Sequence, residues 1–174
     1  MYVLKLILGV GAAVLIHLAG ARLFPEFSMV VDVFLVVVAL HALSGNSLAA
    51  LLVGLLVGLL HDTLTNGPYG LFGFANTVVG YSTARLAQRL VIQRATGILT
   101  VVSFALVLQQ ALVAGLAFLL LPDPALPDPL WVVVKALSCG VIGMLAYAVA
   151  GEWNRAAESR RRGRMNRLGW DRRS

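Results

Sequence analysis

The sequence predicts an all-α polytopic membrane protein, a helical bundle with about six transmembrane helices. Two observations carry that prediction. Hydrophobic types make up 59% of the 174 residues, mean hydropathy is +0.86 and only 13% of residues are charged, against about 25% in an ordinary soluble domain. Such a chain lacks the polar side chains to cover an aqueous surface. The apolar residues also gather in continuous runs and do not alternate, so helices, and not the strands of a lipid-facing barrel, make the crossings.

The first span is assigned to residues 3–20, apolar from Leu6 to Leu18 except for Gly9, Gly11 and His17, with Lys5 in front. At helical rise it is about 27 Å long, enough to cross a bilayer. The stretch also has the layout of a signal peptide, with Ala19-Gly20-Ala21 as a cleavage site. The single basic residue in front and the apolar runs that follow favour a retained helix. A short link, Arg22-Leu23-Phe24-Pro25-Glu26, leads to a second run over residues 27–43. Ser44-Gly45-Asn46-Ser47 is a turn.

The third run, 48–60, is short on strict apolar count, with Ser47 and His61 at its ends. Polar and turn residues fill 61–70, and a weaker fourth run covers 71–85 and extends towards Ile92. These two runs form either two spans or one span with a re-entrant segment. The fifth run, 98–121, is unambiguous. Four prolines in 122–129 exclude a helix there, and 130–150 is the sixth run. Residues 1–151 are thus read as one six-helix transmembrane domain and 152–174 as a basic tail.

Charge sets the direction. With a cytoplasmic amino terminus, Lys5, Arg85, Arg89, Arg94 and the eight tail arginines lie inside, 12 of the 14 basic residues, while Arg22 and Lys135 lie nearer the outside. This is a strong positive-inside bias, with both termini cytoplasmic. The tail holds Arg155, Arg160, Arg161, Arg162, Arg164, Arg167, Arg172 and Arg173 against Glu152, Glu158 and Asp171, so it carries five of the six net positive charges. Arginines just inside a membrane attract anionic lipid, and lipid is the expected partner of this tail. Trp153 fits an interface anchor. No aromatic interleaving supports nucleic-acid binding.

Few residues stand out within the spans. Asp62 closes the third run; a carboxylate there anchors the turn, by accepting from Thr63, Thr65, Asn66 or the amides that start the next helix, or is solvated, or, as the least favoured reading, serves chemistry or transport. Asp32 lies five residues into the second run, where a charge is costly unless partnered. It either faces the bundle and pairs with His17, Arg22 or Lys135, or sits near the headgroups. Ala50, Gly54 and Gly58 recur every four residues on one helical face, the spacing that lets two backbones approach where lipid supplies no hydrophobic drive. Ala111 with Gly115, and Gly140 with Gly143, repeat the idea. Asn76, Thr77, Ser82 and Thr83 make the fourth run polar, and Gln109 and Gln110 sit mid-span where an amide wants an interhelical partner. The lone Cys139 excludes an intrachain disulfide and reads as a buried small hydrophobe. His61-Asp62 has no third ligand at zinc spacing. Nucleophilic triads, Walker sequences and dinucleotide fingerprints are absent, so no catalytic residue, cofactor or metal is expected.

The run Gly54-Leu-Leu-Val-Gly58-Leu-Leu-His-Asp62, followed by Gly70 and the small-residue fourth span, resembles the MreD family of bacterial rod-shape-determining membrane proteins. Phe24-Pro25-Glu26-Phe27, leading to Asp32, is similar to that family's proline-containing approach to its second span. The resemblance covers nearly the whole body and leaves the arginine-rich tail unexplained. It implies a non-enzymatic inner-membrane scaffold of the cell-elongation machinery that supports rod shape and peptidoglycan synthesis. The implied partner is an MreC-like single-span protein, acting with a SEDS glycosyltransferase and a class B transpeptidase. Ala50, Gly54, Gly58, Asp62, Gly70 and Asp32 are the expected helix-packing or partner-binding residues. The family fold is similar to the S component of energy-coupling-factor vitamin transporters, which supplies the alternative of a substrate-capture subunit. That alternative calls for a polar-lined cavity; a scaffold calls for a filled interior or an apolar groove occupied by a partner's helix.

Overall fold

The computed structural model describes residues 2–24, 26–44, 46–65, 68–89, 95–122 and 128–170, without the side chains of residues 2, 3, 5, 95, 96 and 152–170. The expectations for Asn66, Arg94, the tail arginines Arg155 to Arg173 and most of the proline-rich loop therefore lie outside the described residues or side chains.

Among the described residues seven helices follow one another: α1 (Tyr2–Leu23), α2 (Phe27–Val30), α3 (Val33–Ala42), α4 (Ser47–Leu64), α5 (Leu71–Arg89), α6 (Ala95–Leu120) and α7 (Pro129–Trp170). Among the described residues four helical segments are long and apolar enough to cross a membrane: Leu6–Leu23, Ser47–Leu64, Gly97–Leu120 and Pro129–Gly151. The protein is thus all-α and largely membrane-embedded. The long α7 runs on from its apolar half into the basic segment as one helix.

The second apolar run is not one continuous helix over 27–43. Val31 and Asp32 adopt extended backbone angles and divide it into α2 and α3. The cause is local: Asp32 is the N-cap of α3 and its side chain accepts from the Leu35 N–H at 2.9 Å, a geometry that a helix interior does not allow. The third run is longer than its apolar count, because His61 and Asp62 lie inside the last turn of α4. Asn46 caps its start by accepting from the Ala49 N–H at 3.1 Å. At the head of α7, Asp128 accepts from Leu130 N–H at 2.9 Å and Pro129 takes the first helical position, where a missing N–H loses nothing.

α3 is the hub, packed against α1, α4, α5, α6 and α7. Phe34, Leu35, Val38 and Ala39 are fully buried on it. One apolar cluster joins Leu35, Val36 and Ala39 to Val79 of α5, Val102 and Leu106 of α6 and Cys139 of α7. A second joins Phe34 and Val38 to Ala13 of α1 and Val53 and Val57 of α4. The outward faces remain apolar: Leu15 of α1, Leu56 of α4 and Leu119 of α6 are 70%, 66% and 81% exposed. In lipid such exposure is free, so these helices are held by close packing and by polar contacts.

Candidate functional site: a small-residue hairpin and a buried polar core

α4 and α5 form the tightest pair in the bundle, and small residues set the distance between them. A Cβ on Gly54 would overlap the Asn76 carbonyl, and one on Gly58 would overlap the Phe72 carbonyl with Gly73 Cα at 2.7 Å. Across the same seam a Cβ on Gly80 would stand 2.5 Å from the Ala50 carbonyl oxygen. The face of Ala50, Gly54 and Gly58 therefore meets the backbone of α5. Gly140 and Gly143 likewise face α6, at Ser103, Leu99 and Val102, whereas Ala111 is exposed and Gly115 has open space around it. The expectation that Ala111 and Gly115 form a second packing face is not met within this chain.

Asp62 closes this hairpin. Its carboxylate is 2% exposed and accepts the backbone N–H groups of Gly70 at 3.1 Å, Phe72 at 3.0 Å and Gly73 at 2.9 Å. These are the amides at the start of α5 that have no helical partner, and a negative charge there also meets the positive end of the helix dipole. The hydroxyls of Thr63 and Thr65 turn elsewhere, to the carbonyls of Leu60 at 2.7 Å and His61 at 3.1 Å. Gly70 sits at φ +92°, a backbone region closed to most side chains, and this aims its N–H back at Asp62. At the other end of the hairpin Gln88 Nε2 donates to Ser47 Oγ at 3.0 Å.

The second constellation gathers at the break in the second run. Asp32 is 2% exposed, and Asn76 and Gln109 are fully buried. Gln109 Nε2 donates both to Asp32 Oδ2 at 3.0 Å and to Asn76 Oδ1 at 2.8 Å. The Asp32 N–H, released from helical bonding by the break, points at Cys139 Sγ at 3.2 Å. Gln109 and Cys139 are at the middle of the apolar segments Gly97–Leu120 and Pro129–Gly151. Asp32 is thus buried inside the bundle, beside the midpoints of both segments. Its bonds go to Leu35, Gln109 and Cys139; Lys135, half-buried one turn from Cys139 on α7, stays within electrostatic reach.

Rings connect the two constellations. Phe34 and His61 stack with centroids 4.7 Å apart, Phe72 lies 4.2 Å beyond His61, and His17 of α1 meets Phe34 at 5.2 Å and His61 at 5.8 Å. His17 therefore packs against rings instead of pairing with Asp32. Among the described residues four buried side-chain atoms have no hydrogen-bond partner: His61 Nδ1, Asn76 Nδ2, Thr83 Oγ1 and Gln109 Oε1. Among the described residues no group of three or more His, Cys, Asp or Glu side chains is placed to hold a metal ion.

The structure thus unites Ala50, Gly54, Gly58, Asp62 and Gly70 in one hairpin and sets Asp32 in a separate polar core. Sequence reading gave Gln109 an unnamed interhelical partner and Asn76 only a place in a polar fourth run, and it missed that Gln109 bridges Asp32 and Asn76. Their signal was three polar residues in three apolar runs, with nothing to pair them. It also missed Gly73 and Gly80, the α5 side of the seam.

On the outside, α1 and α4 are separated by an apolar groove of about 400 Å³ lined by Leu6, Ile7, Val10, Val53, Leu56, Val57 and Leu60. A protein-family model described as rod shape-determining protein MreD matches residues 1–124. That stretch contains the hairpin, the groove and all of the polar core except Cys139. No curated protein and no solved structure matches the chain.

Proposed function

The chain belongs to the family of rod shape-determining protein MreD, and on that premise we propose that it is a scaffold whose groove between α1 and α4 receives the membrane helix of a single-span partner. As a member of that family it is a non-enzymatic membrane component of the rod-shape and cell-elongation machinery. The observation that carries the reading is the extent of the match, which covers α1 to α6.

The partner this reading assigns to the groove is MreC-like, with a SEDS glycosyltransferase and a class B transpeptidase as further members of the complex. A groove lined by seven apolar side chains suits an apolar helix, and α1, with little of its apolar stretch buried, is free to contribute the other wall. The alternative, an S component capturing a small molecule, needs polar groups free to hold a ligand. The groove between α1 and α4 is instead lined by apolar side chains, which favours the scaffold.

In this reading the protein is a multi-pass protein of the bacterial inner membrane, crossing six times with both termini in the cytoplasm. The four long apolar segments are joined by two crossings that hydropathy undervalues. The first is α2 with α3, whose break turns the buried Asp32 into the bundle; the second is α5, whose polar residues Asn76 and Thr83 face inward. Non-helical or polar backbone at membrane depth is tolerated where it is buried in protein. The bundle of residues 1–151 and the basic tail of 152–174 act as separate parts, the tail meeting anionic lipid. Gentle detergent extraction of the tagged chain, with identification of the proteins that accompany it, tests the scaffold. An MreC-like single-span protein is the expected companion; an ATPase module in its place supports the transporter subunit and overturns the scaffold.

A further inference from the structure

The geometry of Asp32, Gln109 and Asn76 points to a proton-binding site in the interior of the bundle, in which two amides report the charge of one carboxyl group. Gln109 Nε2 lies between two oxygens, Asp32 Oδ2 at 3.0 Å and Asn76 Oδ1 at 2.8 Å. With Asp32 ionised, this is the one orientation that avoids like-to-like contact. Turning the Gln109 amide over would set Oε1 against the carboxylate, and turning Asn76 alone would set one NH2 against another. The far ends of both amides are left without partners: Gln109 Oε1, an acceptor, and Asn76 Nδ2, a donor.

Uptake of one proton from water reverses every polarity in the row. Asp32 becomes a neutral acid and a hydrogen-bond donor, and the core gains one unit of positive charge. Gln109 turns its amide so that Oε1 accepts from the Asp32 O–H, and Asn76 turns so that Nδ2 donates to the same oxygen. The number of hydrogen bonds within the row is unchanged, and the charge on the buried carboxyl is gone. The Leu35 N–H keeps Asp32 Oδ1 as its acceptor in both states. What changes is the free end of each amide: Asn76 presents an acceptor where it presented a donor, on the helix whose backbone meets Gly54.

The charged and titratable groups facing Asp32 are His61 of α4 and Lys135 and Cys139 of α7. Behind His61 stand Asp62 of α4 and His17 of α1. α5 and α6 contribute the two amides. A buried ionisable group at membrane depth is costly to keep without a use, and the row gives this one a second hydrogen-bonded state in which its charge is removed.

The test uses the full chain reconstituted in nanodiscs, with 13C-carboxyl aspartate for infrared difference spectra and 15N-labelled Asn and Gln side chains for magnetic resonance, recorded across pH. In the wild type an isotope-shifted protonated-carboxyl band should appear on acidification, and the Asn76 NH2 signal should move with the same midpoint. Asp32→Asn should lose the band and hold the Asn76 signal at its acidic position at every pH. Gln109→Leu should leave a titrating carboxyl with a stationary Asn76 signal. In the wild type, protonation of Asp32 without movement of Asn76 overturns the relay. Lack of any Asp32 band over the pH range in which the chain stays folded overturns the site, as does a response to exchanging sodium for potassium at fixed pH in place of a pH response.

Discussion

Asp62, in the last turn of α4, accepts the backbone N–H of Gly73, in the first turn of α5, at 2.9 Å. The bond ties two antiparallel helices across eleven residues of sequence, and Gly73 has no side chain because Leu59 and Asp62 already fill the space. Cap and close contact are therefore one device. The carboxylate can reach three amides only because the backbones approach closely, and they approach because the seam is made of glycine and alanine.

Removing the cap should loosen the hairpin. Asp62→Ala leaves three amides at the start of α5 without acceptors, two of them half-buried and one buried. The expected loss is about 2–4 kcal/mol in reversible unfolding measured in detergent or bicelles. Asp62→Asn keeps part of the accepting capacity and should lose less. Thr63→Ala, whose hydroxyl bonds only to Leu60, should change stability little. Equal losses for Asp62→Ala and Thr63→Ala would remove the cap from the account.

Widening the seam should act through the backbone. Gly58→Ala places a methyl group on the Phe72 carbonyl, an overpacking expected to cost about 1–3 kcal/mol. Gly54→Leu and Gly58→Leu should cost more and should reduce recovery of the partner. Gly115→Ala, in open space, is the matched control and should be neutral. A normal complex and wild-type cell shape with Gly54→Leu would contradict the packing role.

Gly70 gives a purely conformational prediction. Its φ is +92° and nothing stands within 4 Å of where a Cβ would go. Gly70→Ala should therefore cost about 1–2 kcal/mol by backbone strain alone, visible as a lower unfolding midpoint. A side chain tolerated there without loss would show that the turn does not need a left-handed residue.

Asp32 and Gln109 should be coupled. Asp32→Ala takes one of its two acceptors from the buried Gln109 NH2 and strands the Leu35 N–H, and Gln109→Leu strands a buried carboxylate oxygen. The double-mutant cycle should give an interaction of about 1–3 kcal/mol, read from unfolding of the four proteins. Additive effects would mean that the 3.0 Å bond contributes nothing.

The elements that sequence made legible are those whose cause is local. Gly58 and Asp62 sit four residues apart on one helix, so periodicity alone placed them on a common face, and the amides after a turn are standard acceptor-seeking groups. Continuous apolar runs likewise marked α1, α4, α6 and the first half of α7. The break at Asp32 was not legible, because 27–43 reads as one apolar helix until Gln109, 77 residues further on, supplies the donor that makes a buried carboxylate affordable. α5 read as weak because hydropathy treats every polar residue as solvent-facing, while Asn76 and Thr83 point into the bundle. The failed pair Ala111 and Gly115 shows the limit of spacing: small residues permit an approach but do not choose a partner.

The tail should be separable from the bundle. Removing 155–174 should leave the spans inserted and reduce the anionic lipid that accompanies the purified chain, since each arginine near a charged surface contributes about 1 kcal/mol. An unchanged lipid complement would end the lipid role.

On the proposed function, the apolar groove between α1 and α4 receives the single membrane helix of a partner. Photo-crosslinking in growing cells tests it most directly, with the crosslinking residue placed at Leu56 in the groove and, as the comparison site, at the exposed Phe104 of α6. An adduct with an MreC-like single-span protein is expected from position 56 and little from position 104. The reverse pattern, or lipid adducts alone at position 56 while the partner still co-purifies, would contradict it.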